Sequence, residues 1–154
     1  MNDSKKNILR EKFWEKYTLD EMNHAEWEAL CDGCGKCCLI KFESEGKVYL
    51  TNIACTQIDL NNCKCKNYKN RTNLVKDCIS LTKENLVDNM NWLPYTCSYR
   101  LVHERNPLPT WHHLISKDKK KVHKMNLSIK NNSFHESQVK EKSLVSHIIA
   151  EIEN

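Results

Sequence analysis

The chain of 154 residues has only three glycines and three prolines, and no repeat or low-complexity tract. It also lacks an apolar run near the roughly 18 residues that a transmembrane helix requires, and no apolar segment follows its polar N-terminus. These absences predict a protein with no membrane span and no secretory signal, located in the cytoplasm. Hydrophobic residues are also scarce, at 40% against 29% charged residues, so the core must be modest.

Cysteine is the residue that the chain has in excess, with nine copies. The reducing cytoplasm keeps thiols free, and an odd count fits poorly with a closed set of disulfides. Metal ligation is therefore the favoured interpretation of these cysteines.

The length corresponds to a single domain over residues 1–154. We expect a small α+β domain with much irregular chain, tied together by one or two cysteine-ligated metal sites. Its segments are a frayed N-terminus over 1–12, a cysteine-cluster body over 13–116, a basic loop over 117–126 and a C-terminal segment over 127–154 that contains an amphipathic helix.

A capping box marks the start of the first predicted helix. Thr18 is followed three residues later by Glu21, the pattern in which two side chains satisfy each other's backbone amides. The helix is predicted to continue to about Leu30 and to pack through Leu19, Met22, Trp27, Ala29 and Leu30. Glu26 lies within that stripe and is expected at a helix edge open to water. His24 lies outside the stripe and is expected to be solvated.

A β-hairpin is predicted where residues 38–43 and 47–51 flank Ser44-Glu45-Gly46. Residues 52–77 have no clean period and are predicted to be irregular chain that needs tethering.

Three further helices are predicted. One lies near residues 78–85, and another follows Pro94 over 95 to about 104. The last is the C-terminal helix, whose apolar stripe is formed by Leu144, Val145, Ile148, Ile149 and Ile152.

The strongest chemical signal is the motif Cys31-Asp32-Gly33-Cys34-Gly35-Lys36-Cys37-Cys38. Its C-x2-C-x2-C spacing is that of three ligands of one cluster in bacterial ferredoxins. The two glycines permit the backbone angles of so tight a loop. The fourth cysteine of a ferredoxin run would fall at position 41, where this chain has Lys41. A fourth ligand must therefore come from farther along the chain.

The spacing favours an iron–sulfur cluster over zinc, although thiolates suit both metals. A [4Fe–4S] cubane or a structural zinc takes four ligands, so nine thiols can fill two sites and leave one over. Side chains of adjacent residues diverge, so Cys37 and Cys38 are not expected to serve one ion equally well. The candidate metal ligands are Cys31, Cys34, Cys37, Cys38, Cys55, Cys63, Cys65, Cys78 and Cys97.

Several alternatives remain open at this point. Isolated residues such as Cys78 and Cys97 are often small buried apolar side chains. A thioredoxin-like C-x-x-C within the motif lacks the expected βαβ context. A nucleophilic cysteine could also be paired with His103, His112 or His113 as its base.

The net charge of +4 is concentrated in a lysine run at residues 117–124. Such a run can contact nucleic acid, but no aromatic residues interleave with the lysines to stack bases. A solvated loop is the favoured interpretation, with a protein partner possible and nucleic acid disfavoured.

Residues 30–39 resemble the signature of the CxxCxxCC cysteine-cluster family, described as zinc- or iron-chelating. Four further blocks resemble its YcgN-type branch of bacterial proteins, at residues 51–55, 63–68, 77–82 and 92–101. The resemblance, which spans about residues 13–116, implies metal chelation by these cysteines and names no reaction. Distant relatives that are flagellin lysine methylases keep an enzymatic role open. Where the family has Trp-His-Pro-Leu, this chain has Trp111-His112-His113-Leu114.

The sequence therefore predicts a cytoplasmic metal-binding protein, with iron–sulfur favoured and a redox or accessory role. A zinc-stapled module that binds protein or nucleic acid is the second hypothesis. A metal-dependent enzyme is the third.

Overall fold

The computed structural model describes residues 8–74, 78, 80–140 and 144–152. These residues form a mixed α+β domain of short helices and a small sheet, which confirms the predicted fold class. No helix in these ranges is long and apolar enough to cross a membrane. The helices are α1 (Phe13–Lys16), α2 (His24–Leu30), α3 (Arg71–Leu74), α4 (Ser98–His103), α5 (His113–Ser116) and α6 (Lys121–Lys124). The strands are β1 (Leu39–Ser44), β2 (Lys47–Ala54), β3 (Ile58–Asp59), β4 (Lys64–Cys65), β5 (Phe134–His135) and β6 (Ile148–Ile152).

Strand β2 is the centre of the main sheet. It pairs antiparallel with β1 and with β6, and its last two residues pair in parallel with β5. Strands β3 and β4 form a separate two-stranded hairpin. Backbone groups at an open edge of β2 would need other hydrogen-bond partners. Strand β6 supplies them along residues 48–51 of β2, and β5 supplies them along residues 53–54.

The predicted β-hairpin is confirmed. Ser44 pairs with Lys47, so the loop consists of Glu45 and Gly46 alone. Both have positive φ, at 53° and 75°, which is the backbone of a type I′ turn. The strand after the turn reaches Ala54, so part of the chain predicted as irregular over 52–77 is regular.

The capping box at Thr18 and Glu21 is present, but it begins a one-turn 3₁₀ helix over Leu19–Glu21 rather than a long helix. The chain then turns, and α2 begins at His24 with its own capping box of Asn23 and Glu26. The predicted packing face is confirmed, and His24 is exposed as predicted.

Glu26 corrects the sequence prediction, because its side chain is completely buried rather than open to water. Its carboxylate accepts hydrogen bonds from the Arg10 side chain at 2.7 and 2.8 Å and from the backbone amides of Arg10 and Asn23. These bonds lower the pKa of Glu26 to about 2. Residues 8–12 are therefore not uniformly frayed, whereas residues 1–7 lie outside the described chain.

Two apolar clusters form the core. The helical cluster comprises Phe13, Leu19, Met22, Trp27, Leu30, Leu86, Leu93, Leu108 and Leu114. The sheet cluster comprises Leu39, Leu50, Ala54, Ile58, Cys63 and Ile129. Leu30 ends α2 in the first cluster and Leu39 begins β1 in the second, so the cysteine motif is the chain that joins them.

The predicted C-terminal amphipathic helix is wrong, because residues 148–152 form β6. Only Ile152 of the expected stripe is buried, and Ile149 and Val145 are exposed. Isoleucine is β-branched and favours extended backbone. As a strand, residues 148–152 also provide hydrogen-bond partners to the backbone of β2, which a helix at this position would not do.

The helix predicted near residues 78–85 is also not formed in the described part of that segment, where the chain turns instead. The helix predicted over 95–104 is present but shorter, at Ser98–His103. The lysine run contains α6 and presents Lys119, Lys120 and Lys121 to solvent, as the solvated interpretation requires.

The replacement Glu26→Gln should destabilise the protein by about 1–3 kcal/mol, because it removes a buried charge-assisted partner of Arg10. The pKa of this carboxylate is lower in the folded chain than in the unfolded chain, so its stabilisation is complete above about pH 4.5 and disappears as the pH falls through about 2. Urea denaturation of both proteins between pH 7 and pH 2.5 measures this difference.

Glu15→Gln is the matched control, because Glu15 is exposed and should change stability by less than about 0.5 kcal/mol. Equal stability of wild type and Glu26→Gln at pH 7 would show that the Arg10 pair contributes nothing net.

Candidate metal centre

The loop over residues 31–38 depends on two glycines with left-handed backbone. Gly33 has φ +75° and faces open space, whereas Gly35 has φ +78° and is packed closely. A Cβ at Gly35 would lie 2.8 Å from Ile129 Cγ1 and 3.2 Å from Cys63 Cβ. Gly35 is therefore required both by its backbone angle and by the lack of space.

The carbonyl groups of the loop are held by distant segments. Two histidines at the start of α5 hold its beginning, with His112 Nε2 2.8 Å from the Leu30 carbonyl and His113 Nε2 3.2 Å from the Cys31 carbonyl. The amide of Leu114 donates to His112 Nδ1, so the hydrogen of that ring is on Nε2. Burial lowers the pKa of His112, in agreement with a neutral ring.

An aromatic pair packs α2, which ends just before Cys31, against α4, which begins just after Cys97. The rings of Trp27 and Tyr99 lie 4.7 Å apart between centroids, and the Tyr99 hydroxyl donates to the Trp27 carbonyl at 2.8 Å. Burial raises the pKa of Cys31 to about 12 and that of Cys97 to about 11, and the charge of Cys37 adds to both effects.

Backbone pairing connects the segments that carry Cys38, Cys55 and Cys65. The amide of Cys55 donates to the Cys38 carbonyl at 2.9 Å. Ile58 lies three residues after Cys55, and the β3–β4 hairpin pairs Ile58 with Cys65. Burial raises the pKa of Cys78, the charge of Arg71 acts in the opposite direction, and the charges of Cys65, Cys55 and Cys37 raise it further.

Cys37 and Cys38 are consecutive residues of one 3₁₀ turn and interact directly with each other. The thiol of Cys38 donates to Cys37 and so lowers the pKa of Cys37, while the same bond raises the pKa of Cys38. Cys37 is thus the more acidic thiol of the pair.

Lys41 places a cation beside this turn. Its ammonium donates to the carbonyls of Lys36, Cys37 and Leu39 at 3.1–3.2 Å. Burial lowers the pKa of Lys41, and the neighbouring cysteine charges act in the opposite direction. The position at which a ferredoxin would carry its fourth ligand therefore carries a charge that favours thiolates.

Asp32 adds a carboxylate to the first part of the loop. Its Oδ1 atom accepts the amide of Cys34 at 2.9 Å, but its buried Oδ2 atom has no hydrogen-bond partner in the described chain. Burial raises the pKa of Cys34, and the charge of Asp32 raises it further. A buried carboxylate oxygen without a donor, among thiols, is chemically suited to a nearby cation.

Cys63 stands apart from the other candidates. It is 8% exposed and belongs to the sheet cluster, packed against Gly35 and Ile129. Burial raises the pKa of its thiol, and the groups that act against burial are Ser128 and residues 129–130 rather than another cysteine.

All nine cysteines are free thiols. In the described ranges, no group of three or more Cys, His, Asp or Glu is placed so that it could hold a metal ion. Of the histidines considered as nucleophile bases, His112 and His113 direct Nε2 to backbone carbonyls, and His103 is exposed.

Sequence reasoning did not predict the contacts that Asp32, Lys41 and the two histidines His112 and His113 make with the loop. The Asp32 side chain bonds to the amide two residues later, which is an Asx-turn that the Asp-Gly-Cys sequence could have indicated. No local signal could have shown that His112 holds a carbonyl 82 residues away.

The fold and its thiol-rich loop define a small cysteine-rich α+β protein. A UPF0260 protein of Pectobacterium atrosepticum is 49% identical over 129 residues, which cover 82% of this chain and 86% of that protein. The UPF0260 proteins YcgN of Salmonella paratyphi A and Salmonella newport are each 48% identical over 131 residues, 84% of this chain and 88% and 85% of their own lengths. The chain therefore belongs to the UPF0260 (YcgN) family. No family model and no solved structure matches it.

Replacement of Gly35 by Ala should destabilise the protein by about 2–4 kcal/mol, since it adds overpacking to the cost of a left-handed alanine. Gly33→Ala is the matched comparison, with a similar φ but open space, and should cost only about 1–2 kcal/mol. Thermal unfolding under reducing conditions measures both.

A double variant with Ile129→Ala identifies the cause. Because Ile129 carries the two closest atoms, Gly35→Ala should cost less in the Ile129→Ala background than in wild type. Equal costs of Gly33→Ala and Gly35→Ala would contradict the steric argument.

Proposed function

We propose that the chain is a metal-binding protein of the cytoplasm whose ligands are cysteine thiolates, with an iron–sulfur cluster favoured and a redox or accessory role. The observation that carries this proposal is the loop of residues 31–38, which carries four cysteines on eight residues of chain bent at Gly33 and Gly35. The residues that would hold metal are Cys31, Cys34, Cys37, Cys38, Cys55, Cys65, Cys78 and Cys97.

The residues present are chemically suited to such a group. Thiolate sulfur is the donor that iron–sulfur clusters and structural zinc share. Burial raises the pKa of Cys34 and of Cys97 and so disfavours their thiolate forms, which a bound cation would stabilise. The buried Oδ2 atom of Asp32, which has no hydrogen-bond partner in the described chain, could also accept a nearby cation.

The iron–sulfur form is favoured by the loop itself. Cys31, Cys34 and Cys37 have the triplet spacing of a ferredoxin cluster, and Gly33 and Gly35 supply the backbone angles that curve the chain between them. When bound, a cluster supplies one-electron redox chemistry. The chain's own residues supply the ligands, the neighbouring positive charge of Lys41 and the hydrogen bonds that keep the loop in place.

A zinc-stapled binding module is the second candidate. It is favoured by the exposed lysines at positions 119–121, which lie on α6 or directly before it and could contact an acidic surface. Zinc would then stabilise the fold without taking part in electron transfer.

Protein purified anaerobically should contain iron and acid-labile sulfide in equal amounts, and should absorb at about 400 nm because of sulfur-to-iron charge transfer. Metal analysis, sulfide analysis and visible spectroscopy test this. Zinc with no sulfide and no visible band would overturn the iron–sulfur assignment in favour of the second candidate. Full-length folded protein with no bound metal would overturn the proposed function.

Metal removal should loosen the fold as well as the site. The chain that the cysteines link is rich in irregular segments, and the binding energy of structural thiolate sites, on the order of 10 kcal/mol, contributes directly to folding. Anaerobic treatment with a chelator should therefore lower the melting temperature and the cooperativity seen by circular dichroism. The variant Cys34→Ser should reproduce both effects, whereas an unshifted, sharp melt of metal-free Cys34→Ser would show that the fold is self-sufficient.

A further inference from the structure

A cavity of about 460 Å³ lies between residues 9–15, which include α1, and residues 114–117 at the end of α5. This volume is within the range of small-molecule binding sites. None of the residues that line the cavity belongs to the cysteine loop, so the cavity is separate from the candidate metal centre. We propose that the cavity binds a small carboxylate with an apolar body, which is either an acyl chain or an aromatic ring.

The walls of the cavity offer an apolar body a surface to pack against. Phe13 and Leu114 line it and are buried members of the helical cluster. Trp14 packs against the same cluster, and its ring lies 5.3 Å from that of Phe13 at 86°. Leu9 and Ile115 are the exposed part of the lining, at 47% and 40%. An apolar ligand would therefore remove exposed apolar side chains from water beside residues that the core already holds in place.

Two of the five ionisable residues that line the cavity already have partners. Arg10 donates two side-chain hydrogen bonds to the Glu26 carboxylate, at 2.7 and 2.8 Å. The Glu11 carboxylate lies 3.9 Å from Lys16 Nζ. Each pair is neutral, so the charge that a ligand meets in the cavity is set by the other three residues.

Those three residues are Lys12, Glu15 and Lys117. Within the described part of the chain, none of them forms an ion pair. Two cations against one anion leave an excess of one positive charge along the lining. The electrostatic complement of this cavity is therefore a ligand with a single negative charge.

The backbone of the two lysines supports a role for their side chains. Lys12 directly precedes α1 and has φ 49°, and Lys117 directly follows α5 and has φ 61°. This left-handed region favours glycine, because a Cβ atom there is strained against the backbone. Strained residues other than glycine concentrate at ligand sites. At both positions the chain carries a cation where backbone geometry alone would favour glycine.

Trp14 adds a hydrogen-bond donor that the chain does not use. Its Nε1 atom is buried and has no acceptor among the described residues. A buried donor without an acceptor is unfavourable, so a ligand oxygen at the Trp14 wall would supply a missing bond. A carboxylate has two oxygens and can accept from the indole while it also faces a lysine ammonium. An uncharged amide of the same shape would satisfy the indole alone.

Titration of the reduced, full-length protein with octanoate and with phenylacetate tests the proposal. In nuclear magnetic resonance spectra, the indole N–H signal of Trp14, identified with the variant Trp14→Phe, should shift saturably, while those of Trp27 and Trp92 should not. A Kd of about 1 mM or tighter is expected for ligands of this size. Octanamide and phenylacetamide should bind at least about threefold more weakly, because they lack the charge. The tighter of the two acids shows whether the apolar body is a chain or a ring.

Charge variants identify the site. Lys12→Gln and Lys117→Gln should each weaken octanoate binding about two- to fivefold, and Glu15→Gln should strengthen it by a similar factor, as expected for partly exposed charges. Lys69→Gln is the matched control, since Lys69 is exposed but does not line the cavity, and it should leave binding unchanged. Circular dichroism confirms that each variant is folded.

Three results would overturn the proposal. The first is the absence of a saturable Trp14 shift with either acid at concentrations up to about 10 mM. The second is equal affinity for the acids and their amides. The third is binding that is unchanged in folded Lys12→Gln and Lys117→Gln, or weakened equally by Lys69→Gln, which would show a response to the overall charge of the protein instead of a site.

Discussion

The structure depends on the hydrogen bonds that hold the carbonyls of the cysteine loop. A loop that places several thiols side by side cannot use its own backbone for regular structure, so its carbonyls need partners elsewhere. His112 and His113 bind the first two, the amide of Ile129 binds the carbonyl of Cys34 at 2.9 Å, and Cys55 binds that of Cys38. Three of these partners, His112, His113 and Ile129, lie about 80 or more residues downstream of the carbonyls that they bind. The conformation of the eight-residue loop therefore depends on distant segments of the chain.

This commitment gives the segment Trp111–Leu114 a defined structural role. His112 is fully buried with both ring nitrogens bonded, one to the Leu30 carbonyl and one to the Leu114 amide. The neighbouring His113 reaches the next carbonyl of the loop. The segment after Trp111 therefore acts on the thiols through the backbone that carries them, and the lysine run beyond it remains in solvent.

Local patterns in the sequence predicted the features that local forces determine. The Glu45-Gly46 turn and the capping box at Thr18 are each set by residues within a few positions of one another. Glu26 was misjudged because its partner Arg10 lies sixteen residues away on chain without periodicity. The C-terminal strand was misjudged because the helical spacing of its isoleucines is also compatible with a strand, and only the open edge of β2 decides between them. The grouping of the thiols was beyond local reasoning for the same reason, since it depends on pairings such as Cys55 with Cys38.

The position of the loop between the two apolar clusters has a consequence for folding. Leu30 and Leu39 anchor its two ends in different clusters, neither of which is large. A metal bound by Cys37 would order the same 3₁₀ turn that carries Cys38, so positioning one thiol would lower the entropy cost of positioning the next. Because the loop joins the two clusters, ligation by its thiols would couple the two cores into one cooperative domain.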